Sequence, residues 1–410
     1  MELKISKKAS AISPSPTLAI DSKFKEMKKE RIPVVGFGAG EPDFNTPENI
    51  KNAGIEAIKN NITKYTPASG TLELKAAVCQ KLKRDTGLEY STSNIVISNG
   101  GKHSLTNTFT CICDPGDEVI LPAPYWVSYP EMIKLADAVP VIIEGAEENN
   151  FKFTAEQLES AITSKTRALV LNTPSNPTGM VYTKDELEKI AEIAVKNNIY
   201  IIFDEIYEKL VYEGEHTNIA TLGDEIRDLT IIVNGLAKTY AMTGWRIGFV
   251  AANKKLAKAM GNIQSHATSN PNSIAQAAAV EALNGDQSII ETMKKTYIER
   301  RDYMVDKINS IDGLSCKTPH GAFYVFMNVK DVLNKEHYGK MINTANELCQ
   351  DILDRALVAL VPSEGFGVDG YVRLSYATSM DTIKTGLDRI EKYLKGEFNE
   401  VEYSDNELNA

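Results

Sequence analysis

Six short runs of β-branched and apolar residues mark the middle of the chain: NIVIS (94–98), EVILP (118–122), ALVLN (168–172), YIIF (200–203), TIIVN (230–234) and IGFVAA (247–252). Near-continuous apolar runs belong to strands buried on both faces, and such strands form parallel sheets with helices on either side. Helix-period stretches separate several of them. In KDELEKIAEIAVKNN (184–198) the apolar positions 187, 190, 191, 194 and 195 share one face. The pattern predicts an α/β fold with a mostly parallel sheet. The run from 247 comes too soon after Lys238 for a crossover helix, so an antiparallel strand fits there. From about residue 290 the pattern changes. YIERRDYMVDKINSI and ELCQDILDRA read as helices, and GAFYVFMNV and YVRLSYATS as strands, which suits a second α+β domain. The first 45 residues hold no comparable core and are expected to pack on that domain or on a partner subunit. The final GEFNEVEYSDNELNA has five acids and no base, and reads as a solvated tail.

In open α/β sheets ligands bind beyond the carboxyl ends of the strands. The residues just after each run are therefore informative. Gly100-Gly101-Lys102 opens a helical stretch after the first run, and Tyr125-Trp126 comes after the second. Asn176 lies between prolines after the third, Asp204 and Tyr207 come after the fourth, and Gly235-Leu236-Ala237-Lys238 after the fifth. Each also fits a plainer reading. Two glycines make a turn, Trp126 fits a core, Asp204 fits a helix cap and Asn-Pro-Thr-Gly fits a turn. Lys238 is harder to explain, because lysine is seldom buried without a reason. Their convergence on one edge matches what pyridoxal 5'-phosphate needs: an amine for a Schiff base, an acid for the pyridine nitrogen, an aromatic face and a phosphate cradle. Gly235 and Ala237 leave room beside the amine.

The stretch from Gly235 to Gly248, GLAKTYAMTGWRIG, resembles the cofactor-attachment signature of class I pyridoxal-phosphate aminotransferases. The likeness extends to GAGEPDFNTPE (38–48), KYTPASGTLELK (64–75), SNGGKHSL (98–105), DPGDEVILPAPYWVSYPEM (114–132), NTPSNPTG (172–179), FDEIYEKLVYEGE (203–215) and VRLSYATS (372–379). The Gly-Gly-Lys loop is similar to that of the bacterial aspartate aminotransferase subgroup.

The resemblance implies a fold-type-I architecture, with a mostly parallel seven-stranded sheet sandwiched by helices and a smaller α+β domain formed by both chain ends. The implied division is an N-terminal arm (1–45), a large cofactor-binding domain (46–290), a small domain (291–395) and an acidic tail (396–410). It implies that Lys238 binds the cofactor covalently and shuttles the substrate proton. Asp204 would hold the pyridine nitrogen, Tyr207 and Asn176 the phenolate oxygen, and Trp126 the ring face. Gly100, Gly101 and Arg246 would hold the phosphate. Tyr65 would reach the phosphate in the neighbouring subunit of a homodimer. Arg373 would clamp the substrate α-carboxylate with backbone from Gly40, although in its alternating strand it also reads as solvent-facing. Lys102 would take the distal carboxylate of a dicarboxylic substrate, helped by Thr17. Cis bonds are implied before Pro124 and Pro177. Ala237 departs from the serine of many relatives, which removes one phosphate-side hydroxyl.

The implied reaction moves the amino group of L-aspartate to 2-oxoglutarate by a ping-pong route, giving oxaloacetate and L-glutamate. The alternatives are aromatic, branched or prephenate-like substrates, a β-lyase, or a ligand-sensing domain; no basic helix-turn-helix segment precedes residue 30 to support the last. A net charge of −10 argues against nucleic acid and membrane partners. The N-terminus lacks an apolar core of the secretory type. Five cysteines in no zinc or disulfide spacing suit a cytoplasmic location.

Overall fold

In the computed structural model, which describes residues 3–13 and 16–398, the apolar runs become strands of one sheet. They are β1 (Ile95–Ser98), β2 (Glu118–Ala123), β3 (Val139–Glu144), β4 (Thr166–Asn172), β5 (Tyr200–Asp204), β6 (Thr230–Gly235) and β7 (Gly248–Ala251). Their order across the sheet is β1-β7-β6-β5-β4-β2-β3. Only β7 runs against its neighbours, antiparallel to β1 and β6. That is the strand whose connection from Lys238 is too short for a crossover.

The seventh strand, β3, escapes the apolar pattern for a physical reason. It lies at the sheet edge, carries Pro140 and leaves Val139 and Ile142 nearly half exposed. An edge strand needs fewer apolar positions and tolerates a proline.

Helix Lys184–Asn197 shows how sequence sets the crossovers. Thr183 caps it in a reciprocal box with Glu186, and Leu187, Ile190, Ala191 and Ala194 bury its apolar face. Burying each large aliphatic side chain contributes about 1.5–3 kcal/mol. Asn198 ends the helix with φ 51°, in the left-handed region.

A second, four-stranded antiparallel sheet is centred on Tyr324–Asn328 and Tyr371–Ser375, with Phe326 opposite Arg373. Helices Ser288–Asn309, Ala345–Ala356 and Met380–Leu394 pack on this part of the chain. The N-terminal segment joins the same body. Val35 and Gly36 pair in parallel with Val358 and Ala359, and Phe37 is fully buried in its core. Phe398 packs against this core and its N–H donates to Tyr338 at 2.9 Å. Residues 399–410 lie outside the described residues.

Candidate active site

The strand register brings the carboxyl ends together. Asn172 at the end of β4 stands opposite Asp204 at the end of β5, and Gly235 at the end of β6 stands opposite Gly248. Above this edge lies a cavity of about 440 Å³, the size of a cofactor site. Its wall includes Gly40, Gly101, Lys102, Trp126, Asn176, Asp204, Tyr207, Lys238, Arg246 and Arg373. Ten positions singled out in the sequence thus converge, from segments of both sheets.

Asp204 is buried. Its Oδ2 accepts the Tyr129 hydroxyl at 2.7 Å and its Oδ1 the Ile206 N–H at 3.2 Å. Burial pushes its carboxyl up to about 6, with both hydrogen bonds opposing the rise. An acid held this way has its charge waiting for a cationic partner. Asp204 closes a strand and its Oδ1 serves the following turn, so it caps no helix.

Lys238 donates to the Gly40 carbonyl. Burial pushes its ammonium down to about 8; Glu41 nearby raises it, while Arg373 and Arg246 lower it further. The amine therefore has a backbone partner, and Glu41 supplies a nearby carboxylate that the local sequence around Lys238 does not reveal. A lysine near 8 is available as a neutral amine close to physiological pH.

Gly100 caps helix Gly101–Ile112 with φ 83°, and Arg246 donates to the carbonyls of Thr243 and Asn99 at 2.9 and 3.3 Å. A Cβ at Gly100 would meet Arg246 Nη2 at 2.5 Å, and one at Gly248 would meet Gly100 C and Gly101 N at 2.4 Å. The absence of side chains keeps open a cradle of backbone N–H groups beside a guanidinium, which suits an anion.

Arg373 is not solvent-facing. It is only 3% exposed, because both faces of its strand are covered. Nη1 donates to Asn176 Oδ1 at 3.0 Å and Nη2 to the Gly38 carbonyl at 3.1 Å. Its Nε is buried with no hydrogen-bond partner, and among the described residues no carboxylate pairs with it. A buried guanidinium with an orphan donor can receive a carboxylate. Lys102 stands on the same cavity, its ammonium 5.0 Å from the Trp126 ring centre. Trp126 in turn meets Tyr129 edge-on at 5.3 Å.

Two contributors escape the sequence pattern. Tyr129 holds Asp204, and Tyr324 bonds the Tyr207 hydroxyl at 2.8 Å while its ring lies 4.5 Å under the Arg373 guanidinium. Tyr129 lies within the stretch 114–132 that marks the site, while Tyr324 lies in GAFYVFMNV, read from the sequence only as a strand; in both cases only the third dimension shows which tyrosine turns inward. Tyr65 is not brought to the cavity: it is 92% exposed on the chain's surface. The side chain of Thr17 lies outside the described residues. Cis bonds precede Pro124 and Pro177 as expected, and also Pro174.

The chemistry of the cavity fits pyridoxal 5'-phosphate. A buried acid, a lysine of lowered pKa, an aromatic face and a glycine cradle beside Arg246 match the group, and Arg373 Nε remains without a partner.

The sequence model of the family described as "Aminotransferase class I and II" matches residues 32–390. The chain is 47% identical over 396 residues to the aspartate aminotransferase of Bacillus sp. (strain YM-2), covering 96% of this chain and 100% of that one. It is 44% identical to the aspartate/prephenate aminotransferase of Nitrosomonas europaea, again over 96% of this chain and 100% of that one. Among solved structures, it resembles the aspartate aminotransferase from Thermus thermophilus with maleate, with a TM-score of 0.91, 39% identity, and coverage of 96% of this chain and 100% of that one.

Proposed function

The chain belongs to the class I and II aminotransferases, and from that premise we propose that it transfers the amino group of L-aspartate to 2-oxoglutarate. The family's cofactor is pyridoxal 5'-phosphate. When bound, it draws electrons from the substrate α-carbon so that the Cα proton becomes acidic.

The chain's own residues do the rest. Lys238 Nζ, neutral above about pH 8, takes the Cα proton and holds it for return. Asp204 supplies a fixed negative charge at the cavity floor, and Tyr129 orients it. Gly100, Gly101 and Arg246 hold a phosphate, and Trp126 covers a ring face. Tyr207 and Asn176 are placed to donate to an oxyanion. Arg373 binds the α-carboxylate, with Gly40 at its side.

The observation that carries the aspartate reading is Lys102. It adds a second cation to a cavity in which Arg373 is read as taking the α-carboxylate. The relative from Thermus thermophilus is solved with maleate, a dicarboxylate, which supports the same substrate class.

We read residues 46–290 as the cofactor-binding domain and 1–45 with 291–395 as the smaller one. We further read the enzyme as a homodimer. Ile55, Ile58, Ile62, Tyr65 and Leu72 are all exposed within one short stretch, as a face covered by a second copy would leave them. Tyr65 would then serve the partner's phosphate. Among the described residues no helix is long and apolar enough to cross a membrane, and all five cysteines are free. Both suit a cytoplasmic enzyme.

The test is a screen of amino donors with 2-oxoglutarate and oxaloacetate. Aspartate and glutamate should lead. Preference for phenylalanine or prephenate would replace the aspartate reading with the aromatic one. Turnover without a 2-oxo acid would point to a lyase.

A further inference from the structure

Asp204 and Tyr207 face the cavity, but the residues next after each of them do not. Glu205 and Glu208 are buried behind the site. Glu205 has no exposure at all. Its carboxylate accepts Asn218 Nδ2 at 2.8 Å and Asn234 Nδ2 at 3.2 Å, and lies 2.8 Å from His216 Nε2. Its own N–H donates to Val233 on β6 at 3.0 Å. Asn234 is the penultimate residue of β6, and its Oδ1 accepts the N–H of Gly235 at 2.7 Å. Gly235 opens the turn that carries Lys238. One buried carboxylate–amide pair thus joins the turn bearing Asp204 and Tyr207 to the turn bearing Lys238.

Glu205, Glu208 and His216 also have the spacing of metal ligands. Lys81 already supplies the cation there. Its ammonium forms ion pairs with Glu208 and, at 3.1 Å, with Asp85, so this is an ionic layer and not a metal centre. Two adjacent buried carboxylates, Asp204 and Glu205, repel one another, and a neutral side chain would fill the same space at lower cost. The Glu205 carboxylate also helps keep the buried Lys81 charged, but what ties it to the Lys238 turn is the bond it accepts from Asn234.

We propose that Glu205 is a positioning residue: through Asn234 it fixes the separation of the Asp204–Tyr207 turn from the Lys238 turn, and so holds the two anchor points of the cofactor in register. The proposal rests on the reading of Asp204 and Lys238 as cofactor groups.

Glu205→Gln keeps the volume but turns an N–H₂ toward existing donors. Asn234→Ala removes the other half of the pair. Each variant is purified as holoenzyme, and pyridoxal 5'-phosphate retention on dialysis, visible-region circular dichroism and melting temperature are measured. Each single variant should weaken retention by about tenfold or more, the effect of losing a hydrogen bond to a charged group. Each should also weaken the visible dichroic band. The double variant should be little worse than either single one, because the two residues act as a unit. A lower melting temperature with unchanged retention and dichroism would reduce Glu205 to a structural group and overturn the proposal. Should Glu205→Gln not fold, Asn234→Ala decides by the same readouts. Asp204→Asn serves as the reference. If it shifts retention and dichroism while the other two do not, this proposal alone falls. If none of the three shifts them, the assignment of Asp204 falls and takes the proposal with it.

Discussion

Arg373 Nη1 and Asn176 Oδ1 meet at 3.0 Å although 197 residues separate them in the chain. One stands on the second sheet and the other just beyond β4, so this bond spans the join where the cavity opens. The groups assigned to substrate carboxylate and cofactor oxygen are thereby positioned against each other before any ligand arrives.

Lys238 should carry the cofactor. The purified protein should be yellow, and borohydride should fix the cofactor to the peptide containing Lys238. Lys238→Ala should lose both the covalent link and all but a trace of turnover. Mass spectrometry of the reduced, digested protein checks the attachment point, and a label on any other lysine would contradict it.

Asp204→Asn keeps the shape and loses the charge. Losing a preorganised charge partner costs about 3–4 kcal/mol in the barrier, or 10²–10³ in kcat. The same variant should change the acid behaviour of the cofactor-free protein. The Asp204 carboxyl sits at about 6 against an ordinary 3.8, so between these values the folded state holds a proton that the unfolded chain has lost. Stability should therefore fall as pH rises from about 4 to about 6, by ~3 kcal/mol, and stay level above. Urea midpoints across this range should lose that descending limb in Asp204→Asn. Parallel curves for the two proteins would place the titration elsewhere.

Lys102→Ala should lose about 1.5–3 kcal/mol of transition-state binding for aspartate, the range for a charged hydrogen bond. Alanine and phenylalanine, with no distal carboxylate, should be little affected. Comparison of kcat/KM across these donors checks it. Equal losses would assign Lys102 to the cofactor instead.

Tyr65→Phe should impair cofactor retention and Arg373→Ala substrate binding. Mixed dimers of the two variants should regain part of the activity, because one of the two sites then draws both intact residues from different chains. No recovery, with mixing verified by mass, would confine each site to one subunit.

Gly248→Ala places a methyl group 2.4 Å from Gly100 C and Gly101 N. Backbone cannot yield as a flexible side chain would, so about 1–3 kcal/mol of strain should fall on the phosphate cradle. Weaker cofactor retention on dialysis, with folding preserved in far-UV circular dichroism, is the expected result.

Six strands of the large sheet are legible in the sequence because burial on both faces writes a continuous apolar run. β3 is not, since an edge strand with Pro140 needs no such run. Lys238, Asp204 and Asn176 announce themselves by standing at strand ends where ligands bind. Tyr129 and Tyr324 do not: each acts through a hydroxyl whose partner is 75 or 117 residues away. Arg373 shows the same limit from the other side. Its alternating strand allows either a solvated or a buried arginine, and only the covering of the strand's second face decides.

Among the described residues, the cavity wall carries four basic side chains, Lys102, Lys238, Arg246 and Arg373, against two acidic ones, Glu41 and Asp204. The chain as a whole carries −10. A dianion approaching from solution therefore meets repulsion at long range and attraction only within about a Debye length of the mouth, roughly 8–10 Å at physiological salt. Added salt screens the far field before it reaches the partly enclosed near one. Encounter with dicarboxylic substrates should then be fastest at an intermediate ionic strength, slowed below it by the acidic exterior and above it by the fading pull of the basic interior.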